Sequence, residues 1–201
     1  SRNTPLTQAF VDSKKIKCYS LIDERSSAYF ALGLIKSSNE PVAVLTTSGT
    51  AATNLLPATV EASLNKLPLL LLTADRPKKL VNTGASQTIN QLDLFNNYTR
   101  QMIDIDIASK SIEKQLESLN IILNYGIGTK TNPPGPIHLN IRFEEPLIDK
   151  NHKISIKDVK QKKESIEYKS IKLSEFSAPL IICGPLKGNA NLDSIIKLSK
   201  K

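Results

Sequence analysis

The sequence contains few of the residues that mark whole classes of protein. Only two of its 201 residues are cysteine, Cys18 and Cys183, too few for a disulfide framework or a cysteine zinc site. This usage fits a reduced, cytoplasmic setting. No apolar run approaches the length that spans a bilayer, and no signal peptide opens the chain. We therefore expect no membrane partner and no secreted disulfide scaffold.

An initiator methionine is also lacking, because the single methionine is Met102. We therefore expect the sequence to begin inside a longer protein. The hydrophobic content of 40% is enough for one complete core, or for one domain and part of a second.

The net charge of +8 is unevenly distributed along the chain. Residues 1–148 hold 15 Lys and Arg against 13 Asp and Glu, whereas residues 149–201 hold 12 against 6. The basic residues of the second part are all lysine, and Tyr168 is the only aromatic residue between 149 and 175. Nucleic-acid surfaces usually mix arginine with aromatic residues. We therefore interpret 149–175 as a solvated linker and expect no nucleic-acid partner.

Residues 1–148 alternate strand-like and helix-like segments. This order predicts an α/β domain, a parallel sheet with helices on both faces, whose ligands bind beyond the carboxyl ends of the strands. Asp23 is a candidate cap for the first predicted helix. Apolar, β-branched runs predict strands at 17–22, 42–47, 67–73, 100–105 and 137–141; helical spacing predicts helices at 23–36, 50–66, 91–98 and 111–125.

A second α/β domain is predicted to begin near the end of the sequence. Residues 178–184 (APLIICG) form an apolar run typical of a buried strand, and a helix is predicted near 191–198. The predicted organisation is a domain at 1–148, a Lys-rich linker at 149–175, and the start of a central domain at 176–201.

Taken alone, the polar residues after the predicted strands have ordinary explanations. Glu24, in the first turn of a helix, gains ~0.3–1 kcal/mol from the helix dipole. Gly49 lies in a turn that lacks the glycines and lysine of phosphate-binding patterns. Arg76 could pair with Asp75 or could bind a carboxylate, for which arginine is well suited. His138 alternates with apolar neighbours, so we interpret it as structural.

Six segments, in this order, resemble one enzyme family. The chain is similar to the N-terminal part of the 2-succinyl-5-enolpyruvyl-6-hydroxy-3-cyclohexene-1-carboxylate synthases, thiamine-diphosphate enzymes of menaquinone and phylloquinone biosynthesis. The resemblance covers residues 1 to about 148 well, and 176–201 only in kind. The segments are SRNTPLT at 1–7, DERS at 23–26, TSGTAATN at 47–54, LTADRP at 72–77, GASQTI at 84–89 and GPIHLN at 135–140.

The resemblance implies a transferase that decarboxylates 2-oxoglutarate and adds the succinyl-semialdehyde unit to isochorismate. It also implies a pyrimidine-binding domain that is truncated at its N-terminus, and a site formed between two subunits of a homodimer or a dimer of dimers. The family's Gly-Asp-Gly…Asn motif, which holds Mg²⁺ and the diphosphate, is absent from this sequence. We therefore expect no metal ligands here, and we expect this fragment alone to be inactive.

The resemblance also assigns residue roles. Glu24 matches the glutamate that hydrogen-bonds N1′ of the cofactor's aminopyrimidine ring, and Gly49 matches a cofactor-binding glycine. The predicted substrate contacts are Ser1, Arg2, Arg76, Ser86 and Gln87. At position 86 the family commonly has asparagine, and the shorter serine offers a different set of hydrogen-bonding groups.

Two alternatives remain open on the sequence. Another thiamine-diphosphate decarboxylase or an acetolactate-synthase-like enzyme would share Glu24 and Gly49 but lack the pair Arg2 and Arg76. A non-enzymatic anion-binding module would use the Lys-rich segment, and its binding to random DNA would fall steeply with salt.

Overall fold

The computed structural model describes residues 1–129, 131–148, 180 and 192–199. The chain divides into two compact units, Ser1–Glu164 and Ser165–Lys201. In the second unit, the helix Leu192–Ser199 confirms the helix predicted near 191–198. The predicted linker and, apart from Leu180, the predicted strand at 178–184 lie outside the described residues. The predicted domain limits therefore stay predictions.

The first unit is built on a four-stranded parallel sheet in the order β1-β2-β4-β3. Thr46 of β1 lies opposite Thr73 of β2, and Asp75 of β2 lies opposite Arg142 of β4. The strands therefore end at a common edge. Their bounds are Val42–Thr46 (β1), Leu69–Asp75 (β2), Met102–Asp106 (β3) and Ile137–Arg142 (β4).

Helices pack on both faces of this sheet, which confirms the predicted fold class. Successive residues of a strand point to opposite faces. Accordingly Leu71 packs with the core cluster of α2 and α4, whereas Leu70 and Leu72 pack with side chains of α1 and α5. The helices are Thr4–Ser13 (α1), Glu24–Ser38 (α2), Thr50–Thr53 (α3), Leu56–Leu64 (α4), Ile112–Ile127 (α5) and, in the second unit, Leu192–Ser199 (α6).

The start of α2 is fixed by the predicted cap. The Asp23 carboxylate accepts a hydrogen bond of 2.7 Å from the Ser26 backbone N–H. This hydrogen bond lowers the pKa of Asp23, because it favours the charged carboxylate. The cap therefore places Glu24 as the first residue of the helix.

The strand predicted at 17–22 is wrong. These residues join no ladder, and their side chains Tyr19, Leu21 and Ile22 are exposed. A strand exists only when its backbone pairs with a neighbour, and in the described part of the chain β1 forms the edge of the sheet on one side. The apolar run therefore indicated strand propensity, but residues 17–22 pair with no strand in the described part of the chain.

Two predicted helices also differ in the structure. The helix predicted at 50–66 is divided into α3 and α4, because Pro57 lacks an N–H and fits only in a first helical turn. Residues 91–98 form turns rather than a helix. There the Asn90 side chain accepts a hydrogen bond from the Leu92 N–H, and such side-chain bonds compete with helix formation.

Two smaller predictions are corrected as well. Strand β2 continues to Asp75 instead of ending at 73, because its last two residues still pair with β4. Helical spacing predicts Ile112, Leu116, Leu119 and Leu123 on one apolar face of the helix at 111–125. On α5, however, Leu116 is half exposed and lies off the packed face, where Leu119, Ile122 and Leu123 contact the core.

His138 is fully buried in β4, in agreement with a structural role. Its Nε2 lies 2.7 Å from Thr73 Oγ1, and its ring packs edge-on against Phe95. The Thr73 hydroxyl donates to Asn140 Oδ1, so Nε2–H must be the donor to Thr73. Nδ1 then remains buried without a partner. Burial lowers the pKa of His138 from 6.5 to about 4.

We expect His138 to make stability depend on pH. The unfolded chain takes up the histidine proton near pH 6.5, whereas the folded chain does so only near pH 4. The stabilisation is thus complete above pH 6.5 and is lost progressively as pH falls to 4, on the order of 3 kcal/mol in total. Urea unfolding across this range should show a shallower decline for His138→Gln, and equal slopes for both proteins would contradict this account.

Candidate functional site

Gly49 and Arg76 lie at the same edge of the sheet. Each comes three residues after one of two threonines that are paired in register, Gly49 after Thr46 and Arg76 after Thr73. Ligands of parallel α/β folds bind beyond this edge. The structure thus brings together the two turns that the sequence singled out after β1 and β2.

The Gly49 turn is held by side chains of the loop that follows β2. The Ser48 hydroxyl donates to the Gln87 carbonyl over 2.9 Å, and Gln87 Nε2 donates to the Ser48 carbonyl over 3.0 Å. The Gly49 N–H donates to Gln91 Oε1 over 2.7 Å. Gly49 has a φ of 79°, and a Cβ there would lie 2.9 Å from Gln87 Cγ. Both the backbone conformation and the close contact therefore require glycine.

Glu24 lies beside this turn through a contact with Asn54. Asn54 Nδ2 donates to Glu24 Oε2 over 3.3 Å, and Asn54 directly follows α3. The Glu24 side chain is partly buried, and no ion pair involves it among the described residues. Its carboxylate therefore keeps acceptor capacity at the start of α2. The expectation that Glu24 follows a strand is wrong, because residues 17–22 form none.

Arg76 does not form the ion pair with Asp75 that was its simplest explanation. The Asp75 carboxylate is fully buried and is paired with Arg142 Nη1 at 3.0 Å. Its other oxygen accepts the Arg76 backbone N–H over 2.7 Å. The Arg76 guanidinium has no carboxylate partner among the described residues, and its Nε is buried without a hydrogen bond. A cation that has no carboxylate partner in the described part of the chain therefore lies at the sheet edge that holds the Gly49 turn.

Arg2 lies at the end of β4 but already has protein partners. Its Nη1 donates to the Phe143 carbonyl over 3.3 Å, and its Nη2 is 3.2 Å from Glu145 Oε1. The side chain of Arg2 is 7% exposed, whereas that of Glu145 is 73% exposed. Ion pairs with such an exposed partner are weak. Ser1 is exposed, and its carbonyl accepts the Thr4 hydroxyl at the start of α1.

The remaining predicted substrate contacts are on the loop after β2. Ser86 and Gln87 are both exposed, and the Ser86 carbonyl accepts the Thr88 hydroxyl over 3.2 Å. Gln87 has a φ of 57°, and its amide is already bonded to Ser48. In this structure Gln87 supports the Gly49 turn, and its contact with substrate stays a prediction.

Sequence reasoning missed a buried polar cluster between the two turns. Its members lie on one face of the carboxyl ends of β2, β3 and β4, and Gln91 covers them from the following loop. One sequence pattern could have revealed this cluster: polar residues alternate with apolar ones inside the predicted strands, as in IHLNIR at 137–142. The cluster consists of Thr73, Asp75, Gln91, Asp104, His138, Asn140 and Arg142.

Neither a metal cluster nor a membrane helix occurs in the described ranges. Within residues 1–129, 131–148, 180 and 192–199, no three His, Cys, Asp or Glu residues are grouped so that they could hold a metal ion. In the same part of the chain, no helix combines the length and apolarity needed to cross a bilayer.

Residues 1–94 match the family model described as the thiamine pyrophosphate enzyme, N-terminal TPP binding domain. These residues belong to that family. The match includes Glu24, Gly49 and Arg76, so all three lie within the residues that resemble this N-terminal TPP binding domain.

Three curated relatives that resemble this chain are named 2-succinyl-5-enolpyruvyl-6-hydroxy-3-cyclohexene-1-carboxylate synthase. The protein from Staphylococcus epidermidis is 40% identical over 206 residues, which cover 99% of this chain and 37% of the relative. The protein from Chlorobium phaeobacteroides is 36% identical over 222 residues, covering 100% and 38%. That from Trichodesmium erythraeum is 46% identical over 147 residues, covering 73% and 25%. The matched part of the chain thus spans between 25% and 38% of the length of these relatives.

We expect Gly49→Ala to destabilise the domain more than Gly84→Ala. Both glycines have a φ of 79°, which residues with a side chain rarely adopt, so both substitutions incur a backbone strain of about 1–3 kcal/mol. At Gly84 no atom lies within 4 Å of the added Cβ, whereas at Gly49 the Cβ collides with Gln87. The collision should cost a further ~1–3 kcal/mol. Urea unfolding measures both losses, and equal losses would argue against the tight Gly49 contact.

Proposed function

We propose that this chain is part of a thiamine-diphosphate-dependent transferase, a 2-succinyl-5-enolpyruvyl-6-hydroxy-3-cyclohexene-1-carboxylate synthase. The complete enzyme decarboxylates 2-oxoglutarate and adds the succinyl-semialdehyde unit to isochorismate, on the route to menaquinone or phylloquinone. The names of the relatives support this assignment. The observation that carries it is the Arg76 guanidinium, which has no carboxylate partner in the described chain and lies at the sheet edge that holds the Gly49 turn.

The residues around the Gly49 turn fit the pyrimidine end of thiamine diphosphate. The cofactor supplies a carbon centre that can hold the electron pair released by decarboxylation. Glu24 would contact N1′ of the aminopyrimidine and hold or share a proton there. Its position at a helix start, with only a 3.3 Å bond from Asn54, leaves its carboxylate able to accept that contact. Gly49, without a side chain, lets the turn pack tightly on Gln87 beside it.

Both proposed substrates carry more than one carboxylate, so the site needs cationic side chains to bind them. Arg76 is the best placed of the predicted contacts, because the buried Asp75 is neutralised by Arg142 and leaves the Arg76 guanidinium without a competing partner. Arg2 would add a second cation if a substrate carboxylate replaced the exposed Glu145 as its partner. Ser1, Ser86 and Gln87 would add neutral hydrogen-bonding groups.

The remaining parts of the proposal concern the assembly. In this proposal the Mg²⁺ and the diphosphate are held by a further domain, outside residues 1–201. The enzyme would be a cytoplasmic homodimer or dimer of dimers, with Glu24 of one subunit serving cofactor held mainly by the other. On that basis this chain alone would be inactive.

We expect Glu24→Gln in the complete enzyme to lower turnover about 10²–10⁴-fold while the fold is retained. Glutamine has nearly the same shape and can still accept from Asn54, but it cannot exchange a proton. The matched control is Glu61→Gln, which makes the same change at a glutamate bonded to Asn65 on α4. Turnover and melting temperature should be measured for both variants. Near-normal turnover of Glu24→Gln would reduce the residue to a helix-start role.

We expect Arg76→Ala to raise the KM for 2-oxoglutarate or isochorismate by roughly 10–100-fold, since a charge-assisted hydrogen bond is worth about 1.5–3 kcal/mol. Arg76→Lys should not restore the wild-type KM, because an ammonium cannot form two parallel hydrogen bonds to a carboxylate.

The control for Arg76 is Arg100, whose guanidinium donates to the Ser63 and Pro134 carbonyls. Arg100→Ala should lower the melting temperature and leave KM unchanged. If Arg76→Ala behaved in the same way, Arg76 would be structural. An acetolactate-synthase-like enzyme would then become the better proposal, since it needs no such cation.

A further inference from the structure

We propose that Gln91 is a positioning residue, which fixes the Gly49 turn and the Arg76 backbone relative to each other through a chain of buried hydrogen bonds. This inference rests on the proposed function for its meaning, because it links a cofactor turn to a substrate cation. Its physical basis is independent of that function, since it depends only on the contacts described below.

Gln91 is the first link in this chain of bonds. Its side chain is 1% exposed, so each polar atom must find a protein partner. Its Oε1 accepts the Gly49 N–H over 2.7 Å, and its Nε2 donates to Asn140 Oδ1 over 2.9 Å. A single side chain therefore joins the turn after β1 to the interior of β4.

Asn140 carries the chain of bonds to Arg76. Its Nδ2 donates to Asp75 Oδ2 over 2.9 Å and to Asp104 Oδ1 over 2.8 Å. The other oxygen of Asp75 accepts the Arg76 N–H, and Arg142 Nη1 donates to the Arg76 carbonyl over 3.0 Å. Both polar groups of the Arg76 backbone are thus held by the cluster, while its guanidinium is left without a carboxylate partner.

The donor and acceptor of each hydrogen bond between Gly49, Gln91 and Asn140 are fixed. Gly49 supplies an N–H, so Gln91 must present its oxygen to it and its amide nitrogen to Asn140. Asn140 must then present its own oxygen to Gln91 and its nitrogen to the carboxylates. A flipped amide would face donor with donor or acceptor with acceptor. Every polar atom of the Gln91 and Asn140 amides thus has a partner, and satisfied buried amides favour one conformation.

A purely structural role for Gln91 predicts different behaviour. Many buried polar groups stabilise the domain without touching the site. Thr59, for example, is fully buried, and its hydroxyl donates to the carbonyl of Leu55, the residue before α4. Removal of such a group lowers global stability alone. Removal of the Gln91 amide should, in addition, free both site turns at once.

The experiment compares Gln91→Met with Thr59→Val in the complete enzyme. Methionine keeps the length of glutamine without its amide, and Thr59→Val removes a buried hydroxyl away from the cluster. Hydrogen exchange should be at least tenfold faster at the Gly49 and Arg76 amides in Gln91→Met. In Thr59→Val, exchange at the Gly49 and Arg76 amides should be unchanged. In both variants, exchange should also be unchanged at Asn39, whose N–H donates to the Ile35 carbonyl at the end of α2. Unchanged exchange at Arg76 in Gln91→Met, or an equal effect of Thr59→Val, would overturn the proposal.

A second measurement tests what this coupling does for binding. In Gln91→Met, the Kd for thiamine diphosphate with Mg²⁺ should rise about tenfold, and so should the KM for whichever substrate Arg76→Ala affects. Arg76→Ala itself should raise KM alone. A rise in only one of the two constants would overturn the coupling. If Gln91→Met does not fold, Gln91→Asn replaces it, since the shorter amide cannot reach both Gly49 and Asn140. A wild-type enzyme without synthase activity would defeat the proposed function, but the exchange measurement would still decide the role of Gln91.

Discussion

The buried ion pair between Asp75 and Arg142 is the interaction on which the carboxyl end of the sheet depends. Asp75 is fully buried and also accepts a hydrogen bond from Asn140, and Arg142 also donates to the partly buried carboxylate of Asp104. Leaving one charge of a buried pair without its partner costs about 3–5 kcal/mol. The pair also joins β2 to β4 directly, because the two residues lie opposite each other in register. The central strands and their polar ends are therefore stabilised together.

This pair also explains why the Arg76 guanidinium has no carboxylate partner among the described residues. Arg142, whose side chain is 4% exposed, neutralises Asp75, so the neighbouring Arg76 contributes only backbone groups to the cluster. The sheet face changes from leucine at 69 and 71 to polar residues at 73 and 75. A loop that carries Gln91 and Phe95, rather than a helix, covers this polar end. The buried leucines of this face thus stabilise the fold, and its buried polar residues hold the backbone at the carboxyl edge of the sheet.

The parts of the fold that depend on local properties were predictable from the sequence. Apolar runs identified β1 to β4, the Asp23 cap located the start of α2, and the strand ends located Gly49 and Arg76. Features that depend on a distant partner were not predictable. Residues 17–22 have strand propensity but no neighbour to pair with. The choice of Arg142 over Arg76 as the partner of Asp75 is made by strand register, which one sequence does not reveal.

The single direction of the buried hydrogen bonds has an evolutionary consequence. An exchange of amide for carboxylate at 140 would place an acceptor against Asp75 and Asp104, and loss of the cation at 142 would leave both carboxylates without a counter-charge. A single replacement is therefore unfavourable unless its neighbour changes as well. Positions 75, 91, 104, 140 and 142 should then be inherited as a set, and related sequences should differ at several of them together or at none.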